Sequence, residues 1–405
     1  MAMQSSTKMN FGLSYCRAIA TIAIIILHTG FVLSTNFRFN IEDNIILRLF
    51  VNCSMWAVPI FLMVTGVLNL DENKNLTLKN LIKKYIGRIL LSLVIFVAIY
   101  QIVDIIIDKR SLHLNEFLTY LKNLYTGNTY SPMWYLYMLI GLYLLMPMYI
   151  AFVKVSKENE IKFIMLVYII FISIIPAIGT FKFKSGFYIH ELTIYPFYLF
   201  MGYSLHKGII KIDKNKGAIL FIVSSILISI LTYYRWINNN ENFEIFWSYS
   251  SIIVIIQSIG FFSFVMGISK SQKWQATEKV TSENKKSYKN TENIFSSILL
   301  KIDSLSFGIY LIHIIIIRIF TSIDTIKNLI IGNSILLTVP VLVITNLFLS
   351  CIIVKLIKNF PIFKFILNPH LFWWGFFVYF KNLNLKRIFI WKTIYFLFCK
   401  IFFLA

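Results

Sequence analysis

An arginine and a histidine share one long apolar segment near the start of the chain. Arg17 and His28 lie in the run Tyr15-Cys-Arg-Ala-Ile-Ala-Thr-Ile-Ala-Ile-Ile-Ile-Leu-His28. Ionisable residues inside a membrane-length segment are expensive and usually functional. The two side chains are about three turns apart, so they leave the same helix face, roughly 16 Å apart along the axis. That face has a fixed cation at one depth and a proton-transfer group at another. Such a face suits a site that binds an anionic substrate at the arginine and carries out chemistry at the histidine.

Each of the two residues also has a simpler explanation when it is taken alone. Arg17 can act as an anchor whose side chain reaches the membrane interface, and His28 can hydrogen-bond to a neighbouring helix. Their common face favours the functional interpretation.

The composition is that of a membrane protein. Of 405 residues, 58% are hydrophobic and 14% are charged, whereas soluble domains have about 25% charged residues. Apolar runs of roughly 18 residues or more recur along the chain and predict an all-α polytopic fold. The net charge of +21 resides mostly in loops, which indicates contact with lipid head groups and not with nucleic acid. The four cysteines are scattered, which predicts neither a disulfide framework nor a metal site.

About ten transmembrane helices are predicted from the apolar runs. Their expected ranges are 12–34, 49–70, 86–107, 132–152, 163–180, 189–205, 218–234, 245–268, 299–320 and 334–356. Lys and Arg are in excess on the connections that share a side with the N-terminus, so we expect a cytoplasmic N-terminus. Residues 1–357 then form one membrane domain, within which 269–293 is a polar cytoplasmic loop. Residues 358–405 form a basic aromatic tail that lies in the interface or adds one or two spans.

Two basic residues enter the third predicted helix from the cytoplasmic side. Lys84 and Arg88 lie in Lys83-Lys84-Tyr-Ile-Gly-Arg88, at about the membrane depth of Arg17. They are either a positive flank that sets orientation or a phosphate cradle, since both side chains donate charge-assisted hydrogen bonds to phosphate.

Aromatic and polar residues mark the opposite, outer side. Trp134 and Tyr135 open the fourth predicted helix and are either interfacial belt residues or a platform for sugar rings. Tyr310 and His313 share a face of the ninth, which predicts that they point inward, as part of the site or in interhelical hydrogen bonds.

One carboxylate remains within the third predicted helix. Asp104 either orients His28 or lies solvated near the outer interface. The residues alone leave both alternatives open.

The ordered motifs resemble the acyltransferase-3 family of integral membrane acyltransferases. The segments that carry the resemblance, over residues of about 10 to 357, are Arg17-Ala-Ile-Ala with His28, Val58-Pro-Ile-Phe-Leu-Met-Val-Thr-Gly66, Trp134-Tyr-Leu with Tyr143 to Pro147, Phe197-Tyr-Leu-Phe-Met-Gly202-Tyr, and Ser306-Phe-Gly-Ile-Tyr310-Leu-Ile-His313. The single-module form is similar to O-acetyltransferases of surface polysaccharides. Many members carry Arg-x-x-Arg at the entrance to the third helix, whereas this chain has Tyr85 at the first of those positions.

Membership would imply transfer of an acyl group, in particular acetyl, from cytoplasmic acyl-CoA to a hydroxyl of a cell-surface carbohydrate. The donor would be a substrate and no cofactor would stay bound. The family's essential arginine and histidine fall on Arg17 and His28. The resemblance also implies a multi-pass protein of the bacterial plasma membrane.

A transporter or exporter of an amino acid or glycan is the alternative function. In that case Arg17 and His28 would bind a carboxylate and a proton. Inverted repeats with paired broken helices would favour transport, and the sequence shows no clear repeat.

Overall fold

The computed structural model describes residues 10–71, 76–111, 113–179, 193–238, 241–282 and 294–367. Over these ranges the chain forms helices and no strands. Nine of the helical stretches within the described ranges are long and apolar enough to cross a membrane. The predicted all-α polytopic fold is therefore confirmed.

Fourteen helices are numbered below in chain order, with two stretches that contain π-helical turns counted as continuous. They are α1 (Phe11–Asn36), α2 (Ile41–Asn52), α3 (Ala57–Asn69), α4 (Leu78–Ile107), α5 (Leu114–Thr126), α6 (Trp134–Val155), α7 (Glu158–Gly179), α8 (Tyr195–Lys207), α9 (Lys214–Asn238), α10 (Ile252–Ser282), α11 (Ile294–Ser322), α12 (Asp324–Gly332), α13 (Ile335–Ile357) and α14 (Pro361–Leu367).

Helix α1 lies at the centre of the bundle. It packs against α2, α3, α10, α11 and α13, and most of its side chains are buried. Since α1 is buried on several sides, its polar residues face other helices and not lipid. The inward orientation of Arg17 and His28 thus follows from the position of α1.

The second predicted helix is broken in the structure. We expected one helix over 49–70, but α2 ends at Asn52 and α3 begins at Ala57. The residues between them form tight turns, in which Ser54 N–H donates to the carbonyl of Val51. Pro59 lies in the first turn of α3, where its missing N–H costs no helical hydrogen bond.

Two glycines let α3 and α8 touch through their backbones. A Cβ atom at Gly66 would clash with the carbonyl oxygen of Leu199, and one at Gly202 would clash with the carbonyl oxygen of Met63. Close helix approach through small residues is a common basis of packing in membranes. The Thr65-Gly66 and Met201-Gly202 segments therefore have a packing role.

Three predicted segments extend beyond the described residues. The sixth predicted helix appears as the 13-residue α8, and its expected start at 189–192 lies outside. In 269–293, α10 continues through Ser282, so the expected loop is helical over that part, and 283–293 lie outside. Of the aromatic tail, α14 is described and 368–405 lie outside.

Candidate active site

Arg17 is held by a carboxylate from α11. Its Nε donates to Asp303 Oδ1 at 2.6 Å and its Nη2 donates to Oδ2 at 2.8 Å. This two-point pairing is the strong geometry for a guanidinium and a carboxylate. The Arg17 side chain is 29% exposed and that of Asp303 is 8% exposed. The positive charge expected on this face is thus balanced by Asp303, while the remaining N–H groups of Arg17 are available to another acceptor.

His28 and His313 form a second pair between the same two helices. His28 Nδ1 lies 3.0 Å from His313 Nε2, and the ring centroids are 5.0 Å apart. Both side chains are buried. Along α1 and α11 the ion pair and the histidine pair follow one another in the same direction, so the two helices run parallel. The two pairs are about three turns, or roughly 16 Å, apart.

The hydrogen bonds around the imidazoles favour one placement of their protons. His313 Nδ1 lies 3.1 Å from the carbonyl of Ile309, so Nδ1 carries the proton and donates to that oxygen. His313 Nε2 is then an acceptor and takes a hydrogen bond from His28 Nδ1–H. The same His28 Nδ1–H also faces the carbonyl of Ile24 at 3.1 Å. In this arrangement His28 Nε2 keeps a free lone pair, which is the form a general base needs.

Helix α13 supports the backbone that carries His313. Asn346 Nδ2 donates to the carbonyl of His313 at 2.9 Å, and Ser350 Oγ donates to Asn346 Oδ1 at 3.0 Å. Asn346 and Ser350 are fully buried. These two hydrogen bonds fix the second histidine from a third helix, and neither Asn346 nor Ser350 belongs to a motif of the sequence analysis.

Arg88 approaches the same stretch of α11 from α4. Its guanidinium lies over the ring of Phe307, with Cζ 5.4 Å from the ring centroid. Phe307 is one turn beyond Asp303 on α11, so Arg88 and Arg17 lie at similar depth. Over the described ranges Arg88 has no carboxylate partner, and its buried Nε makes no hydrogen bond.

Lys84, the other predicted phosphate ligand, lies at the start of α4 beside two tyrosines. Lys84 Nζ lies 5.8 Å from the centroid of the Tyr85 ring, and that ring stacks on Tyr143 at 5.3 Å. Lys84 and Tyr85 belong to the π-helical turn Leu81–Ile86 at the start of α4. Such turns are frequent at functional sites. Lys84 therefore lies one turn before Arg88 on the same helix.

Aromatic side chains connect Trp134 to the histidine pair. Trp134 lies 6.0 Å from Tyr195, between ring centroids, and 5.7 Å from Tyr249. Its neighbour Tyr135 contacts Tyr310 at 5.5 Å, and Tyr310 lies 6.1 Å from His313. Tyr310 Oη also donates to the carbonyl of Pro132. Four of the five residues predicted to bind or support the acceptor thus form one continuous group, namely Trp134, Tyr135, Tyr310 and His313.

Asp104 has other partners than His28. Its carboxylate accepts from Tyr130 Oη and pairs with the guanidinium of Arg318. That guanidinium also covers the Tyr130 ring, with Cζ 5.3 Å from its centroid. The alternative in which Asp104 orients His28 is therefore wrong, because His313 takes that place. Asp104 belongs to a polar cluster beyond the histidines.

Asp303 is the residue that the sequence interpretation missed. It lies ten residues before His313, close to the spacing of Arg17 and His28. A charge within a predicted span at a matching distance from a second histidine was the available signal.

Together these features define a class of protein: a multi-pass helical membrane protein with buried ionisable pairs between parallel helices. The family model described as "Acyltransferase domain" (acyltransferase-3) matches residues 10–355. The chain therefore belongs to the acyltransferase-3 family and is a membrane acyltransferase. The comparison with curated proteins found no match, and neither did the comparison with solved structures.

Proposed function

We propose that this acyltransferase moves an acyl group, in particular acetyl, from cytoplasmic acyl-CoA to a hydroxyl of a cell-surface carbohydrate, in the plasma membrane of a bacterium. The observation that carries the proposal is the His28–His313 pair, which lies on the same two helices as Arg17–Asp303. The buried histidines supply proton transfer, and the basic residues at the other depth suit a phosphorylated donor.

The donor phosphates are assigned to the basic end of the site. Arg88 supplies a guanidinium without a carboxylate partner over the described part of the chain, and Lys84 lies one turn before it. Arg17 offers only the N–H groups that Asp303 leaves free. Charge-assisted hydrogen bonds to phosphate are the strong kind, so Arg88 bears most of this binding.

His28 acts as the general base. Its Nε2 takes the proton from the acceptor hydroxyl as the hydroxyl oxygen attacks the thioester carbonyl carbon. The carbon–sulfur bond breaks, the ester forms, and CoA leaves as a thiolate that recovers the proton from His28. His313 is a positioning residue, because it accepts from His28 Nδ1–H and so keeps the lone pair on Nε2. Transfer through an acyl-His28 intermediate uses the same lone pair and would be detected as acylated protein when the acceptor is omitted.

The carbohydrate acceptor is assigned to the aromatic side chains that continue from the histidine pair. Trp134 and Tyr135 offer ring faces, on which sugar rings stack, and Tyr310 and His313 continue this group to His28. No observation of comparable weight favours transport of an amino acid or glycan.

The test is acyl transfer by purified protein in nanodiscs. His28→Ala is expected to lose turnover to the background of acyl-CoA hydrolysis, while size exclusion and thermal unfolding show an intact protein. The matched control is His113→Ala, since His113 is an exposed histidine outside the membrane segments. Wild-type turnover in His28→Ala would eliminate the proposed chemistry.

A further inference from the structure

A polar cavity lies beyond the histidine pair, at the end of the bundle opposite Arg17. It has a volume of about 390 Å³ and is lined by Asn36, Ile107, Arg318, Thr321, Ser322 and Lys327. A volume of this size is in the range of small-ligand pockets. Its walls come from α1, α4, α11 and α12, so the two helices that carry the histidines also form this cavity.

The cavity presents two cations whose carboxylate partners are not part of its lining. Arg318 pairs with Asp104, and Lys327 pairs with Asp324 at 2.9 Å. Arg318 contacts Asp104 through Nη2 and its side chain is 35% exposed, so the N–H groups on its other terminal nitrogen are within reach of a ligand. Lys327 binds Asp324 through one of its N–H groups, and an ammonium has three. Both cations thus retain donors for a ligand anion.

The uncharged polar groups complement hydroxyls. Thr321 Oγ1 donates to the backbone carbonyl of Ile317, and Ser322 Oγ donates to that of Ile319. Because their protons are already used within α11, these hydroxyls present lone pairs, which accept hydrogen bonds from a ligand. The lining therefore combines acceptors for hydroxyl groups with cationic donors.

The distance from the histidines sets which part of a substrate reaches the cavity. Asn36 is eight residues beyond His28 on α1, and Thr321 is eight beyond His313 on α11. Both spacings correspond to roughly 12 Å along the helices, which exceeds the width of one sugar ring. A unit in the cavity is thus not the unit whose hydroxyl reacts at His28.

We propose that this cavity binds an acidic sugar unit, one that carries a carboxylate or a phosphate, within an oligosaccharide or polymeric acceptor. The inference rests on the proposed function, since it specifies the acceptor of that site. Arg318 and Lys327 recognise the anionic group, and the hydroxyls of Thr321 and Ser322 recognise the ring hydroxyls.

The experiment compares three methyl glycosides that differ only at carbon 6 of the sugar. Methyl β-glucoside, methyl β-glucuronide and methyl β-glucoside 6-phosphate are titrated by saturation-transfer NMR into protein in nanodiscs of neutral lipid. At least one acidic probe is expected to bind about threefold to tenfold tighter than the neutral glucoside, and that preference weakens as salt is added. The stronger of the two acidic probes identifies the acid group. Equal binding of all three overturns the inference.

Lys327→Gln assigns the preference to the cavity. Lys327 lies outside the membrane segments and its contact is with exposed Asp324, so the variant is expected to fold and to lose about threefold to fivefold in affinity for the acidic probe. Lys122→Gln, an exposed lysine on α5 that does not line the cavity, is expected to bind like wild type. Loss of the preference in Lys122→Gln, or its full retention in Lys327→Gln, contradicts the proposal.

His28→Ala separates this inference from the proposed function. The variant is expected to bind the acidic probe as wild type does, because His28 does not line the cavity. If His28→Ala retained acyl transfer, the general-base mechanism would fail while the binding result stood. If it lost both transfer and binding, the cavity would not be a separate subsite.

Discussion

His313 Nε2 lies 3.0 Å from His28 Nδ1, although 285 positions separate the two residues in the chain. In the proposed mechanism this contact makes His313 the residue that orients the His28 imidazole. It also explains why a second histidine is buried fully in an apolar helix, since its other nitrogen is satisfied by the carbonyl of Ile309.

Replacement of His313 by alanine is expected to lower kcat on the order of 10²-fold, with the KM for acyl-CoA nearly unchanged. Without its acceptor, His28 Nδ1–H no longer fixes the orientation of the ring. His313→Gln is expected to recover part of kcat, because its amide oxygen can accept the same hydrogen bond. Steady-state kinetics on the purified variants measures kcat and the KM for acyl-CoA separately. An increase in KM with normal kcat would assign His313 to donor binding instead.

Exchange of the two charges tests whether Arg17 has a role beyond its ion pair. Arg17→Asp alone places two carboxylates together and is expected to destabilise the protein by about 1–3 kcal/mol, less than a fully buried pair because Arg17 is partly exposed. The double variant Arg17→Asp with Asp303→Arg is expected to recover thermal stability but not acyl transfer, since the guanidinium then projects from α11. Thermal unfolding and activity are measured together. Recovery of both would mean that the pair is structural only.

Arg88→Gln is expected to raise the KM for acyl-CoA about tenfold or more, because a charge-assisted hydrogen bond to phosphate contributes roughly 1.5–3 kcal/mol. Arg88→Lys keeps the charge, so its KM for acyl-CoA is expected to lie between those of wild type and Arg88→Gln. Lys84→Gln is expected to change KM about twofold to threefold, since a lysine offers phosphate a point charge and not the two-point donor geometry of an arginine. Lys154→Gln provides an exposed control on α6. Equal effects of the Arg88 and Lys154 variants would speak against the phosphate assignment.

Gly66→Ala and Gly202→Ala are each expected to lower the free energy of unfolding by about 3 kcal/mol or to prevent folding, because the added methyl group meets backbone atoms that cannot move aside. Gly141→Ala is the matched control: it lies in an apolar membrane helix, and a Cβ there has nothing within 4 Å. That variant is expected to be neutral or slightly stabilising. Thermal unfolding of the three variants checks the prediction, and equal stability of all three would show that α3 and α8 can separate.

Most of the fold could be predicted because a membrane span has a length and composition that a single sequence displays. The ends of the spans and the break at Cys53–Trp56 could not, since they depend on which backbone groups other helices satisfy. The short helices α5 and α12 lie in the connections, where hydropathy gives little signal. The sequence indicates that Gly66 packs closely against another helix. It does not indicate that the contact is with Leu199 of α8.

The site was predictable along α1 but not across helices. Periodicity put Arg17 and His28 on one face, and Tyr310 and His313 on another. It does not say which faces meet, so Asp303 remained unnoticed and Asp104 was a candidate partner for His28. The parallel arrangement of α1 and α11 determines which of these faces meet. That arrangement depends on the packing of the whole bundle.

The long sequence separation of the Arg17–Asp303 pair has a consequence for biogenesis. Arg17 is translated 286 residues before the carboxylate that pairs with it. Until α11 is inserted, the nascent chain therefore carries a guanidinium in α1 without the carboxylate that balances it. A fragment truncated before α11 lacks Asp303, so its first span is expected to be less stable in the bilayer than in the complete bundle.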